Sequence, residues 1–392
     1  MVLQIYADNP QAANMLFTAD GFDELNAEPA FDYRVYKLDE NEAEEKLALL
    51  IDGMTKVEDK TGRFTYRHGR VIDTCTYHKW EWPQAIGMNG LFDYYHLTST
   101  SDPFSSKAKH VLGMMKDWYR QRNNEGVPTK NINSMAVMYS VACLVELDQK
   151  RGKGSVLDDE WRVRFEDWID EWAEWIMNEL PRTPEGGLQH LTFRLANEGQ
   201  LWDDTLMMTY LMDPISGFWY HAWEFDLQGG KKGRYFSDAL WARGNCWITL
   251  AIPMFLELTR LSPSDPVHRI LVSALRRQVD ALLPIQNPST GLWHTLLDDP
   301  TSYVETSGSS GFVGGMLMAI RLKYLSVAVS GLKGCLAQVM PDGAVANVSK
   351  GTPAGRDRQF YKGIPRMGMV YGNSLLIVAL VQWMRLNGGE VR

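Results

Sequence analysis

The chain lacks most of the features that give a function away. Only four of its 392 residues are cysteine (Cys75, Cys143, Cys246, Cys335), far apart and without C-x-x-C spacing, so a zinc or redox motif is not expected. Cys143 and Cys246 fall within apolar, helix-like runs, which predicts buried free thiols rather than disulfides. No apolar run reaches membrane-spanning length. The first ten residues, Met1 to Pro10, have neither a basic start nor a continuous apolar stretch, so a cytoplasmic location is the expectation. Clustered basic residues are scarce too. With a net charge of −8 and a longest basic cluster, Lys231-Lys232-Gly233-Arg234, that reads as a solvated loop, neither a nucleic-acid nor a membrane partner is expected. P-loop, dinucleotide-binding, G-x-S-x-G and H-E-x-x-H signatures are all missing.

What is present is a repeated phrase. Thr61-Gly62-Arg63-Phe64, Glu185-Gly186-Gly187-Leu188-Gln189-His190, Asp213-Pro214-Ile215-Ser216-Gly217-Phe218-Trp219-Tyr220-His221 and Asn287-Pro288-Ser289-Thr290-Gly291-Leu292-Trp293-His294 all set a glycine turn before an aromatic or apolar piece. A degenerate copy is Pro341-Asp342-Gly343-Ala344-Val345. Helical patterns lie between the copies: Met135 to Leu147, Asp159 to Leu180, Trp247 to Leu258, His268 to Leu283, Gly311 to Tyr324 and Ser374 to Leu386. Helix pairs joined by such loops predict an all-α toroid with one rim used for binding. No Pro/Gly/Ser-rich linker divides it, so residues 46–392 are read as one domain, with residues 1–45 as an N-terminal extension packed on the barrel.

Chemistry is concentrated in a few places. Asp203 and Asp204 sit between Trp202 and the apolar run Leu206-Met207-Met208, where an acid is costly unless it has a partner or a task. Successive helical residues point about 100° apart, so only one of the two can face a given pocket, the other capping the helix. Trp241-Ala242-Arg243-Gly244 combines a flat ring, a guanidinium fork and a glycine, suited to stacking on a sugar and binding a carboxylate. The same residues could instead form a buried ion pair beneath a core tryptophan. His190 and His221 lie on the turn motif. Lys130-Asn131-Ile132-Asn133-Ser134 and Tyr303-Val304-Glu305-Thr306-Ser307-Gly308-Ser309-Ser310 each precede a helix, and helix capping is the bland reading of both.

At these residues the chain resembles the unsaturated rhamnogalacturonyl hydrolases of glycoside hydrolase family 105, and more distantly the unsaturated glucuronyl hydrolases of family 88. The resemblance runs from about Glu58 to Leu386. It is carried by Trp80-Glu81-Trp82-Pro83-Gln84, Lys130-Asn131-Ile132-Asn133, Gln200-Leu201-Trp202-Asp203-Asp204, Gly217-Phe218-Trp219-Tyr220-His221, Trp241-Ala242-Arg243-Gly244-Asn245, Glu305-Thr306-Ser307-Gly308-Ser309 and Phe360-Tyr361-Lys362-Gly363. It implies a six-hairpin (α/α)6 barrel. It implies Asp204 as the catalytic acid, a sugar site lined by His190, His221, Trp241, Arg243 and Gly244, and a second family carboxylate falling near Asn131 or Asn133, with a binding role for Asn133. The implied substrate is an oligosaccharide ending in a 4,5-unsaturated uronic acid, hydrated at its C4=C5 enol ether without metal or cofactor. A free Asp has a pKa of about 3.9, so Asp204 needs burial to hold a proton.

The spacing departs from the family at one point. Gly186 and Gly217 are 31 residues apart, against 74 between Gly217 and Gly291. At ordinary helix lengths of about 11–12 residues, 31 cannot hold a turn and two helices, so part of one hairpin near residue 210 is expected to be missing. A smaller loss is expected around Leu325-Ser326-Val327. A misjoined gene model, a truncated inactive paralogue and a working variant with a distorted barrel each fit that gap. The alternative functions are an unsaturated glucuronyl hydrolase on other lyase products, a non-catalytic sugar-binding homologue, and a terpene-cyclase-like α-barrel, the last disfavoured by the polar Arg243, His190 and His221.

Overall fold

The computed structural model describes residues 33–58, 76–126, 128–183, 186–189, 199–202, 211–227 and 233–389. Its helices alternate between two kinds. Amphipathic helices, α1 (Glu40–Lys56), α3 (Ser106–Glu125), α6 (Asp159–Asn178) and α8 (Pro266–Leu282), bury one face only. They alternate with helices enclosed on nearly every side, among them α7 (Ala242–Thr259), α9 (Thr306–Arg321) and α12 (Val370–Asn387). With α2 (Trp82–Ser101) and the pair α4 (Ile132–Met135) and α5 (Met138–Arg151), these form the inner ring, in which α5, α2, α12, α9 and α7 pack in succession. The fold is the expected helical toroid, and each expected helical segment coincides with a helix to within a few residues.

Close approach in the inner ring depends on missing side chains. A Cβ on Gly315 would stand 2.3 Å from the Thr249 carbonyl oxygen, and one on Gly311 2.5 Å from Cys246 Sγ, so the glycine face of α9 lets α7 settle against it. At the helix C-termini the ring is tied by ions. Arg321 of α9 pairs with Glu257 of α7 through two bonds of 3.0 and 2.7 Å and reaches Gln382 of α12. Gln382 and Arg385 in turn bond Asp93 of α2. Cys143, Cys246 and Cys335 are buried free thiols. Cys75 lies outside the described residues.

The repeated phrase folds the same way each time. Gly186, Gly217, Gly291 and Gly343 all have φ between +71° and +83°, the left-handed region that only glycine enters freely. Three copies are then fastened by the fourth residue of the inner helix that follows. Asn245 Oδ1 accepts the Trp219 N–H at 2.8 Å, Ser309 Oγ the Trp293 N–H at 2.9 Å, and Asn373 Oδ1 the Val345 N–H at 3.2 Å. The first copy, at Thr61, lies outside the described residues.

Between Asn178 and Ala242 the described residues are arranged chiefly as an antiparallel sheet, β2 (Gln200–Trp202), β3 (Ala222–Glu224) and β4 (Arg234–Ser237). Eight residues separate Trp202 from Leu211, and they lie outside the described residues. At the second expected loss, the outer helix α10 (Gly331–Leu336) has six residues. Next to it Ala328–Val329 pairs in parallel with Arg34–Val35. Helix α1, capped by Asp39, runs across position 45, where the sequence reading set the edge of the N-terminal extension. No helix among the described residues is long and apolar enough to cross a membrane.

Candidate active site

The first turns of the inner helices meet on one rim. Trp82, opening α2, packs edge-on against Trp247 of α7 at 5.4 Å and against Tyr371 of α12 at 5.1 Å. Tyr371 and Trp241 sandwich the Arg243 guanidinium at 4.7 and 4.5 Å. Trp80 Nε1 donates to the Ser134 carbonyl at 2.9 Å, which joins α4 to the same rim.

Arg243 is buried and its donors are committed to protein acceptors. Nη1 donates to the Ser349 carbonyl and hydroxyl at 2.9 and 2.5 Å, and Nη2 to Thr352 Oγ1 at 2.9 Å and the Lys350 carbonyl at 3.3 Å. Glu305 lies 3.9 Å away, its carboxylate taken up by the N–H groups of Ser307, Gly308 and Ser349. The buried-pair alternative read from the sequence thus describes the geometry of Arg243. The segment 303–310 does cap a helix, but through Glu305; the Ser307-Gly308-Ser309-Ser310 run expected to form the cap lies inside α9, where its first amides meet the Glu305 carboxylate. Gly244 is buried in the first turn of α7.

His221 stands between two indoles, edge-on to Trp202 at 5.6 Å and tilted over Trp241 at 4.5 Å. The structure therefore brings together His221, Trp241, Arg243 and Gly244. Asn133 is half-buried in α4, and Asn131 caps that helix by accepting the N–H groups of Asn133 and Ser134. Asp203, Asp204 and His190 lie outside the described residues.

Sequence reasoning missed three members of this rim: Trp82, Trp247 and Tyr371. Trp247 lies one helical turn beyond Arg243, and that spacing was the available signal. Glu81, quoted only within the motif that carries the resemblance, was given no role either. It occupies the N-cap position of α2, and burial, opposed by the Trp82 N–H, pushes its pKa up to about 7. Two clefts open on the opposite rim, of about 980 Å³ beside Tyr95, Lys116 and Arg151 and about 420 Å³ beside Glu257, Arg260 and Tyr324. Neither is lined by His221, Trp241, Arg243 or Gly244.

Comparison with known proteins decides the class. The model of Glycosyl Hydrolase Family 88 matches residues 56–212 and 209–387, two segments that meet at the shortened stretch. The chain belongs to that family. It is a glycoside hydrolase, as the resemblance implies. It is 29% identical over 318 residues to the unsaturated rhamnogalacturonyl hydrolase YesR of Bacillus subtilis (strain 168), a match spanning 73% of this chain and 84% of that protein. A crystal structure of a possible family 105 member from Salmonella enterica is 33% identical, with a TM-score of 0.77 over 90% of this chain and 96% of the other. A similar protein from Klebsiella pneumoniae is 31% identical, with a TM-score of 0.76 over 90% of this chain and 95% of the other.

Proposed function

We propose that this enzyme removes a 4,5-unsaturated uronic acid from the non-reducing end of pectin-derived, rhamnogalacturonan-type oligosaccharides. The observation that carries the reading is the cluster of His221, Trp241 and Arg243 beside Trp202, in a chain similar to a rhamnogalacturonyl hydrolase. Asp204, two residues after Trp202 in the sequence, is given the role of the acid by the resemblance.

The chemistry asks for one proton in the right place. The C4=C5 bond of the substrate is an enol ether, and Asp204 delivers its proton to carbon. The resulting oxocarbenium ion takes up water, from which the Asp204 carboxylate recovers a proton. The product is a hemiketal at C5, which opens and releases the neighbouring sugar without attack at C1. Trp241 offers a ring to the sugar's apolar face and His221 a hydrogen bond. Arg243 meets the substrate carboxylate once Thr352 and the Lys350 carbonyl give up Nη2.

The test is turnover of lyase-generated disaccharides, followed by loss of the uronide's ultraviolet absorbance. Disappearance of the chromophore, fastest with rhamnose next to the uronate, is the expected result. Preference for a glucosamine-linked disaccharide would move the assignment to the glucuronyl class. No loss of absorbance with any disaccharide would leave a sugar-binding protein and sink the reading.

A further inference from the structure

Residues 350–355 run past Arg243 Nη2 as a short strap fastened at both ends. On one side Val348–Ser349 pairs with Arg366–Met367, and the Lys350 N–H donates to the Pro365 carbonyl at 2.9 Å. On the other the buried Gly355 donates its N–H to the Tyr361 hydroxyl at 2.9 Å. Between these anchors the chain is held loosely. The backbone N–H groups of Gly351, Thr352 and Ala354 make no hydrogen bond among the described residues, and Pro353 has none to give. Gly351 and Pro353 are exposed.

The middle of the strap is tethered through one side chain. Thr352 Oγ1 accepts Arg243 Nη2 at 2.9 Å and donates to the Lys350 carbonyl at 2.6 Å, and that carbonyl accepts Nη2 as well, at 3.3 Å. Two neutral oxygens thus occupy the nitrogen that a substrate carboxylate needs. A charged acceptor makes a hydrogen bond roughly twice as strong as a neutral one, so a carboxylate can take Nη2 from the strap. A sugar hydroxyl offers no more than Thr352 already supplies. Nη1 keeps its buried bonds to Ser307 and Ser349, which hold the guanidinium in place while Nη2 changes partner.

We propose that Thr352 is a specificity-determining residue, tethering residues 351–354 as a strap that denies Arg243 to neutral sugars and yields to a uronate carboxylate. The tether is read from geometry, whereas its use against the substrate rests on the proposed function. Such a strap lowers apparent affinity, because only molecules with Nη2 released bind at full strength.

Thr352→Val keeps the shape and removes the hydroxyl. Thr352 is half-buried and outside every helix and strand, so the variant should fold. Its KM for the unsaturated disaccharide should fall by about threefold or more, with no matching fall in kcat. Thr352→Ser, which keeps the hydroxyl, should restore the original KM. An unchanged KM would overturn the proposal, and so would a raised one, because Thr352 would then be holding Arg243 ready for substrate. Calorimetry with two simple probes separates the strap from the reaction. Galacturonate should bind the valine variant about threefold or more tightly than the unmodified protein, and galactose should bind the unmodified protein about tenfold or more weakly than galacturonate. Equal affinities in either comparison, or no binding of galacturonate, would overturn the strap. If galacturonate behaves as expected while the chromophore persists, the strap stands and the proposed reaction falls.

Discussion

Asn245 and Asn373 do the same job in two different repeats. Each is the fourth residue of its inner helix, and each accepts the backbone N–H two residues after a left-handed glycine. Each also returns its amide hydrogens to carbonyls, Asn245 to Trp219 and Trp241, and Asn373 to Leu50 and Gly343. Truncation would leave the backbone N–H unmet in the interior and one carbonyl short of a partner, each costing about 1–3 kcal/mol. Asn245→Ala and Asn373→Ala should each lose about 2–4 kcal/mol in urea unfolding. Unfolding midpoints within error of the unmodified protein would mean the repeats are fastened by something else.

Packing between α7 and α9 gives a sharper test. A methyl group on Gly315 would press on the Thr249 backbone, which cannot turn aside as a flexible side chain could. Gly315→Ala should therefore destabilise by roughly 2 kcal/mol or more, although alanine favours helix over glycine by about 1 kcal/mol. Gly113, with open space around its would-be Cβ, is the control, and Gly113→Ala should be neutral or stabilising. Equal melting temperatures for the two variants would contradict the packing.

The toroid was legible because its signals are periodic. Outer helices such as Asp159–Asn178 carry an apolar stripe, and the glycine turns recur with their own residue chemistry. Trp82–Ser101 shows why the rest was not. An inner helix buried on every side has no stripe, and Gly87 and Gly90 weaken its helical propensity further. The site was legible in its members but not in their bonding. That Arg243 spends its donors on Ser349 and Thr352 depends on contacts over 100 residues away in sequence.

Arg243→Lys keeps the charge and tests the fork. A single ammonium cannot bond Ser349 and Thr352 together, nor stack as a plane between Trp241 and Tyr371. A loss of about 2–4 kcal/mol is expected, with the buried Glu305 left less well compensated. Turnover of the unsaturated disaccharide should fall as well. A lysine variant with unchanged melting and turnover would show that the fork geometry is immaterial.

Glu81 predicts a pH dependence of stability with a definite sign. Burial lifts its pKa from the ordinary 4.5 to about 7, so the folded chain binds a proton that the unfolded chain has released. Its contribution is complete below the unfolded value and is lost as pH rises toward about 7. At about 1.4 kcal/mol per pH unit that gap sets an upper bound of about 3 kcal/mol. Glu81→Gln cannot ionise, so relative to the unmodified protein it should gain stability between pH 5 and pH 8. Parallel stability curves for the two proteins across that range would show that Glu81 titrates normally.

Asp204→Asn separates binding from chemistry. Asparagine has nearly the shape of aspartic acid and can still hydrogen-bond a sugar, but it has no carboxyl proton to deliver to C4. Turnover should be abolished, while calorimetric affinity for the unsaturated disaccharide stays within about tenfold, or roughly 1.4 kcal/mol. Glu81→Gln is the useful companion, because Glu81 is a carboxyl among the described residues of this rim whose pKa is raised to about 7. If Asp204→Asn stays active and Glu81→Gln does not, the proton comes from the mouth of α2 and the role given to Asp204 is wrong.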